Sequence, residues 1–259
     1  MPTPAPDRVL LAGDSHGDAA FVEELCRVAV DQGCRLILQL GDFGYFPRTE
    51  AGRAFLASVG RSCTRADVDL WWLDGNHDDH DTLATLAADP AHAVPVAERV
   101  RHLPRGHRFT LGGVRFGCLG GAHSIDRARR TRGVDWWEDE NPRPEDLVRL
   151  GTEPLDVLLS HDAPLGVPES SVLRSLPEDD RSTVQRGRSL LRRAAVATRP
   201  RLFVHGHVHR ASRAEVHLEE AANGGLRLPV VSLAANGAGD AAWRVLELPS
   251  LALLPGGDR

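Results

Sequence analysis

Five short polar blocks, each placed just past an apolar run, constrain this chain more than any other feature. They read Gly13-Asp14-Ser15-His16, Gly41-Asp42, Gly75-Asn76-His77-Asp78, Ser160-His161-Asp162 and His205-Gly206-His207-Val208-His209. Ligands of open α/β sheets gather outside the carboxyl ends of the strands, so all five blocks are expected to line one cleft. Glycine beside a ligand lets the chain turn sharply and lets backbone approach an ion closely. The alternation in Asp14-x-His16 and His207-x-His209 can aim two side chains into one site.

The chemistry of these groups points to metal. Imidazole, carboxylate and amide oxygen together suit borderline divalent ions such as manganese, iron or zinc, and need no thiolate. Asp14, His16, Asp42, Asn76, His161, His207 and His209 are too many ligands for one tetrahedral zinc. They suit two ions sharing a carboxylate, and two ions about 3.5–4 Å apart are the recurrent device for in-line displacement at phosphorus.

Periodicity supplies the framework. Residues 8–12 and 36–40 are short apolar runs ending in Gly-Asp, and 18–33 has a helical stripe of Phe21, Val22, Leu25, Val28 and Ala29, with Asp18 as N-cap and Gly33 as stop. This is a βαβ unit. A second helix is expected over 49–60, a strand over 70–73 and a short helix over 79–88. From Val100 the texture changes: 101–103, 108–111 and 114–119 read as short strands between Gly-rich turns, hence antiparallel hairpins and a second sheet. Strands at 155–160 and 201–204 flank a helix within 177–197, and strands over 214–218, 227–234 and 242–248 close the chain. The polar, Arg-rich stretch 124–144, with Trp136-Trp137, reads as a surface excursion or a lid over the site.

Composition bounds the rest. A chain of 259 residues with 42% hydrophobic and 26% charged residues is read as one globular domain spanning 1–259. It has no apolar run long enough to cross a bilayer, so no membrane association is expected. The Pro-rich start lacks a secretory signal pattern, and Cys26, Cys34, Cys63 and Cys118 show no disulfide spacing, so the expected compartment is the cytoplasm. A net charge of −5 gives no global pull toward nucleic acid, although Arg127, Arg129, Arg130 and Arg132 form a local basic run. Oligomeric state is not fixed by any of these features.

Taken in order, the blocks resemble the calcineurin-like metallophosphoesterases, whose pattern is DxH, GD, GNH with an acidic residue, a single His, and GHxH. The resemblance runs from Val9 to about Leu248. It implies a four-layer α/β/β/α sandwich of two mixed β-sheets flanked by helices, and two divalent cations, manganese first, with iron, zinc or magnesium as alternatives. It further implies that Asp14, His16 and His209 hold one ion, that Asn76, His161 and His207 hold the other, and that Asp42 bridges them. His77 matches the family's catalytic histidine, a proton donor to the leaving oxygen while metal-activated water attacks a phosphomonoester or phosphodiester in line. A narrower resemblance, to a bacterial and phage subgroup, rests on the GDFGY second block and on Gly120-Gly121-Ala122-His123-Ser124-Ile125-Asp126 followed by Arg130, Gly133, Trp136-Trp137, Glu140 and Pro142.

The second block departs from the GDxxDRG of serine/threonine protein phosphatases. Tyr45 stands where an acid would orient the catalytic histidine, and Phe46 where an arginine would bind phosphate. Arg130 is the candidate replacement, because guanidinium matches phosphate with paired hydrogen bonds. His123 is a second candidate substrate contact. His205 reads as either a substrate contact or a packing or supporting histidine and is left out of the ligand set, Asp78 and Asp162 read as residues that orient neighbours, and His80, His92, His102, His107 and His217 as solvated or packing residues. A nucleotidase or cyclic-nucleotide phosphodiesterase, a phosphoprotein phosphatase and a non-catalytic metal-binding scaffold are the alternatives. The intact His77 speaks against the last.

Overall fold

The computed structural model describes residues 6–86, 92–218 and 225–254. Its first half alternates β1 (Arg8–Ala12), α1 (Ala19–Asp31), β2 (Leu36–Gln39), α2 (Glu50–Ala66), β3 (Asp69–Trp72) and α3 (His80–Leu86). Then come β4 (Val94–Ala97), β5 (Val100–His102), β6 (Arg108–Leu111), β7 (Val114–Leu119), α4 (Pro144–Leu150) and β8 (Val157–Ser160). The chain closes with α5 (Ser171–Arg174), α6 (Glu178–Thr198), β9 (Leu202–His205), β10 (Ser212–Leu218), β11 (Leu226–Ser232), β12 (Trp243–Glu247) and β13 (Leu253–Leu254). The strands form a seven-stranded sheet ordered β13-β12-β1-β2-β3-β5-β4 and a six-stranded sheet ordered β10-β11-β9-β8-β7-β6, both mixed.

Apolar runs without alternation are what strands covered on both faces require. In β1, Val9 and Leu11 face the other sheet while Leu10 and Ala12 face the helices. In β9, Leu202 and Val204 enter the inter-sheet core while Phe203 packs under α6. Helices α1 and α2 cover the first sheet, and α4 and α6 the second. The result is the expected four-layer α/β/β/α sandwich.

Several local expectations are corrected. Helix α2 does not stop at Gly60 but runs to Ala66, because Cys63, one turn beyond Val59, still packs into the core and Asp67 closes the helix in the left-handed region. Strand β5 is not part of the second sheet: it lies parallel to β3 and forms a hairpin with β4, which periodicity had missed. Only β6 and β7, turning at Gly112-Gly113, form the expected hairpin there. Helix α4 was also unforeseen, its start masked by two prolines. The start of the chain, 1–5, and the last positions expected in α3, 87 and 88, lie outside the described residues.

Candidate metal centre

Parallel pairing brings the ends of β1, β2 and β3 level, with Ala12 beside Gln39 and Gln39 beside Trp72. In the second sheet, Ser160 of β8 sits beside His205 of β9. Each candidate ligand leaves one of these five ends. His16, Asp42, His207 and His209 all have positive φ, between 47 and 64°. A residue with a Cβ held there costs of order 1–3 kcal/mol, and such strain clusters at functional sites. The neighbouring glycines are required by space: a Cβ on Gly75 would overlap the Asp42 carboxylate, and one on Gly206 the Asp14 carboxylate.

The ligand atoms converge in two groups. One atom from each of Asp14, His16, Asp42 and His209 lies within 4.8 Å of the others, and Asp42, His161 and His207 form a second such group. Asn76 joins the second, its Oδ1 3.2 Å from His161 Nε2. Asp42 belongs to both. The donor set of carboxylate, amide oxygen and imidazole therefore fits two divalent cations with one shared carboxylate.

Hydrogen bonds aim these groups. The Nδ1–H of His161 donates to the Leu40 carbonyl at 2.8 Å, which leaves Nε2 for the site. The Asp42 carboxylate accepts the His77 backbone N–H at 2.7 Å, tying two blocks of the first sheet, and Asp14 accepts that of His207 at 3.0 Å, joining the two sheets. Burial pushes Asp42 up, but His161, with His77 and His16, holds it well below the usual carboxylate range. Burial opposes protonation of His161, yet Asp42 draws it up to about 10, so a cation binding there must displace the Nε2 proton. Burial takes His207 down to about 4, leaving a neutral imidazole suited to ligation.

His77 lies at the edge of this cluster, its ring 5.2 Å from that of His16. Arg130 Nη2 sits 2.5–2.6 Å from both its ring nitrogens, while Arg130 Nε pairs with Asp126 at 2.9 Å. Burial lowers the His77 pKa, Asp42 opposes this, and Arg130 and His16 add to it. Within the basic run, Arg127, Arg129 and Arg132 are exposed and Arg130 alone turns inward. A cavity of about 440 Å³ opens here, lined by His16, Gly44, Phe46, Thr49 and His77 among others. His123 is buried and pairs with Asp180 of α6 at 2.9 Å.

Several residues support the site; Gln39 carried no sequence signal, while Asp78 and Asp162 were expected to orient their neighbours and do so. The Gln39 side chain donates to the carbonyls of Gly13 and Gly41, tying the first two blocks together. The Asp78 carboxylate accepts four backbone N–H groups, from Phe43, Gly44, Tyr45 and Gly75; burial and then Asp42 raise it to about 7. Asp162 pairs with the buried Arg188. The Asn76 amide donates to Ser124 Oγ at 3.0 Å, and Ser124 Oγ donates to Glu140 at 2.9 Å. Burial lifts Glu140 to about 7. Ser124 and Glu140 fall within the quoted subgroup string, but nothing in their spacing says that they meet.

Solved structures share the architecture. The protein TT1561 of Thermus thermophilus superposes with a TM-score of 0.54 at 16% identity, covering 98% of this chain and 99% of that one. A dimetal phosphatase from Danio rerio (LOC 393393) gives a TM-score of 0.54 at 13% identity, covering 94% and 93%. No curated protein matches the chain. Among the described residues no helix is long and apolar enough to cross a membrane. The family model for the calcineurin-like phosphoesterases matches residues 7–211, and the chain belongs to that family of phosphate-ester hydrolases.

Proposed function

We propose that the chain hydrolyses a phosphomonoester or phosphodiester at a dinuclear centre, with Asp14, His16 and His209 for one cation and Asn76, His161 and His207 for the other. Asp42 serves both. The observation that carries this reading is the convergence of two ligand groups on the Asp42 carboxylate at the mouth of five strands. Manganese is the first candidate, with iron, zinc and magnesium behind it. Bound cations would polarise the phosphoryl oxygens and activate the attacking water.

His77 acts as general acid, giving a proton to the leaving oxygen. Burial and the adjacent Arg130 favour its neutral form, so a phosphate held by Arg130 restores the proton by neutralising that guanidinium. His123 is the second proposed substrate contact; its Nε2 lies 2.9 Å from Asp180 Oδ1, which also pairs with Arg127. The ester substituent occupies the cavity walled by Phe46. Tyr45 is packed 5.2 Å from Trp72, and no acid stands in its place, which disfavours phosphoprotein phosphatase activity. Stretch 124–144 is read as a lid, and its connected residues Ser124, Arg130, Trp136 and Glu140 support a place in the bacterial and phage subgroup. The expected compartment remains the cytoplasm.

The test is hydrolysis of generic phosphate mono- and diesters by metal-stripped protein, with manganese, zinc, magnesium or nothing restored. Activity should return with metal and be lost in Asp42→Asn and His77→Ala. Metal binding without hydrolysis of any ester would return the scaffold reading.

A further inference from the structure

We propose that Ser124 and Glu140 are positioning residues that fix the amide of Asn76, and that stretch 124–144 thereby sets the affinity of the second cation site. The inference rests on the dinuclear reading above. An asparagine can serve a cation only through Oδ1; turned over, it presents its amide N–H donors to the ion. Its orientation is decided here by what the other end of the amide meets. Ser124 has one O–H to give. An ionised Glu140 can only accept, and it takes that proton through Oε2 at 2.9 Å, while its Oε1 accepts the Ser124 backbone N–H at 2.7 Å and Trp136 Nε1 at 3.2 Å. Ser124 Oγ is left as an acceptor, and Asn76 Nδ2 donates to it at 3.0 Å. Oδ1 must then face His161 Nε2, 3.2 Å away. Asn76, Ser124 and Glu140 are all buried, so water does not offer the amide an equal alternative.

The same end of the excursion is fastened a second time. Arg105 donates to three consecutive carbonyls, Asp139 at 3.1 Å, Glu140 at 2.9 Å and Asn141 at 2.7 Å. Its Nε pairs with Asp74 at 2.8 Å, two residues before Asn76. Glu140 is therefore held against the loop that carries the ligand it orients.

The test is manganese binding at pH 8 to apo wild type, Ser124→Ala, Ser124→Thr and Glu140→Gln, by calorimetry and by paramagnetic resonance of the bound ions. Wild type should take two ions and show their spin coupling. Ser124→Ala should keep the first ion at wild-type affinity, bind the second at least tenfold more weakly and lose the coupled spectrum at limiting metal; Glu140→Gln should shift the same way. Ser124→Thr, which keeps the hydroxyl, should restore both. Two ions bound by Ser124→Ala with wild-type affinities would overturn the positioning role while leaving the dinuclear reading intact. Equal weakening of both sites, or no rescue by threonine, would also overturn it. Fewer than two ions in wild type would overturn the dinuclear reading itself.

Discussion

His77, Arg130 and His80 have separable consequences. In the proposed mechanism His77→Ala removes the proton donor and no candidate ligand, so kcat should fall by about 10²–10⁴ with metal content unchanged. The loss should shrink for aryl phosphates, whose leaving groups need no proton. Arg130→Ala should raise KM for a phosphomonoester at least about tenfold, since a guanidinium–phosphate contact contributes mainly to binding; an unchanged KM would remove Arg130 from the substrate site. His80 is buried, with its Nε2–H on the Gly75 carbonyl, and burial followed by Arg105 takes it down to about 4 from 6.5. The unfolded chain then takes up the proton first as pH falls. Stability owed to neutral His80 is complete above about 6.5 and is lost progressively toward about 4. Denaturant midpoints should show wild type losing up to about 3 kcal/mol more than His80→Gln across that window.

At the scale of elements, the excursion 124–144 is the part whose conformation matters most and which periodicity describes least. Its polar, arginine-rich string lacks any strand or helix period, so the sequence supports a surface loop and a lid equally. Long-range contacts give it shape: Arg48 donates to the Gly133 carbonyl, Trp137 packs near Phe46 and His80, and Arg105 clamps its C-terminal root. Arg105→Met would strand the buried Asp74 carboxylate and release three carbonyls, at a cost of about 3–5 kcal/mol. Trypsin should then cut faster at the exposed Arg127, Arg129 and Arg132, while unchanged cleavage would show that the root is held by other means.

Over the whole molecule, the candidate centre lies where two sheets meet, so the proposed cation binding would be linked to folding. Saturating divalent cation should raise stability by about 2.7 kcal/mol for each site at a hundredfold excess over Kd, chelation should reverse it, and Asp42→Asn should respond to neither. The sequence by itself determined which strand ends carry the candidate ligands, because an apolar run, a turn glycine and a side chain able to bind metal are written within a few adjacent residues. It likewise determined the double-faced strands, since unbroken apolar runs have to be buried on both sides. Tertiary structure alone decided that Arg130 reaches His77 across 53 positions and that Ser124 holds Asn76 across 48. Those contacts depend on which strands lie side by side and on how an aperiodic loop packs back over them. Local propensity and spacing carry no record of such pairing, because it is fixed only when burial of the inter-sheet core closes the sandwich.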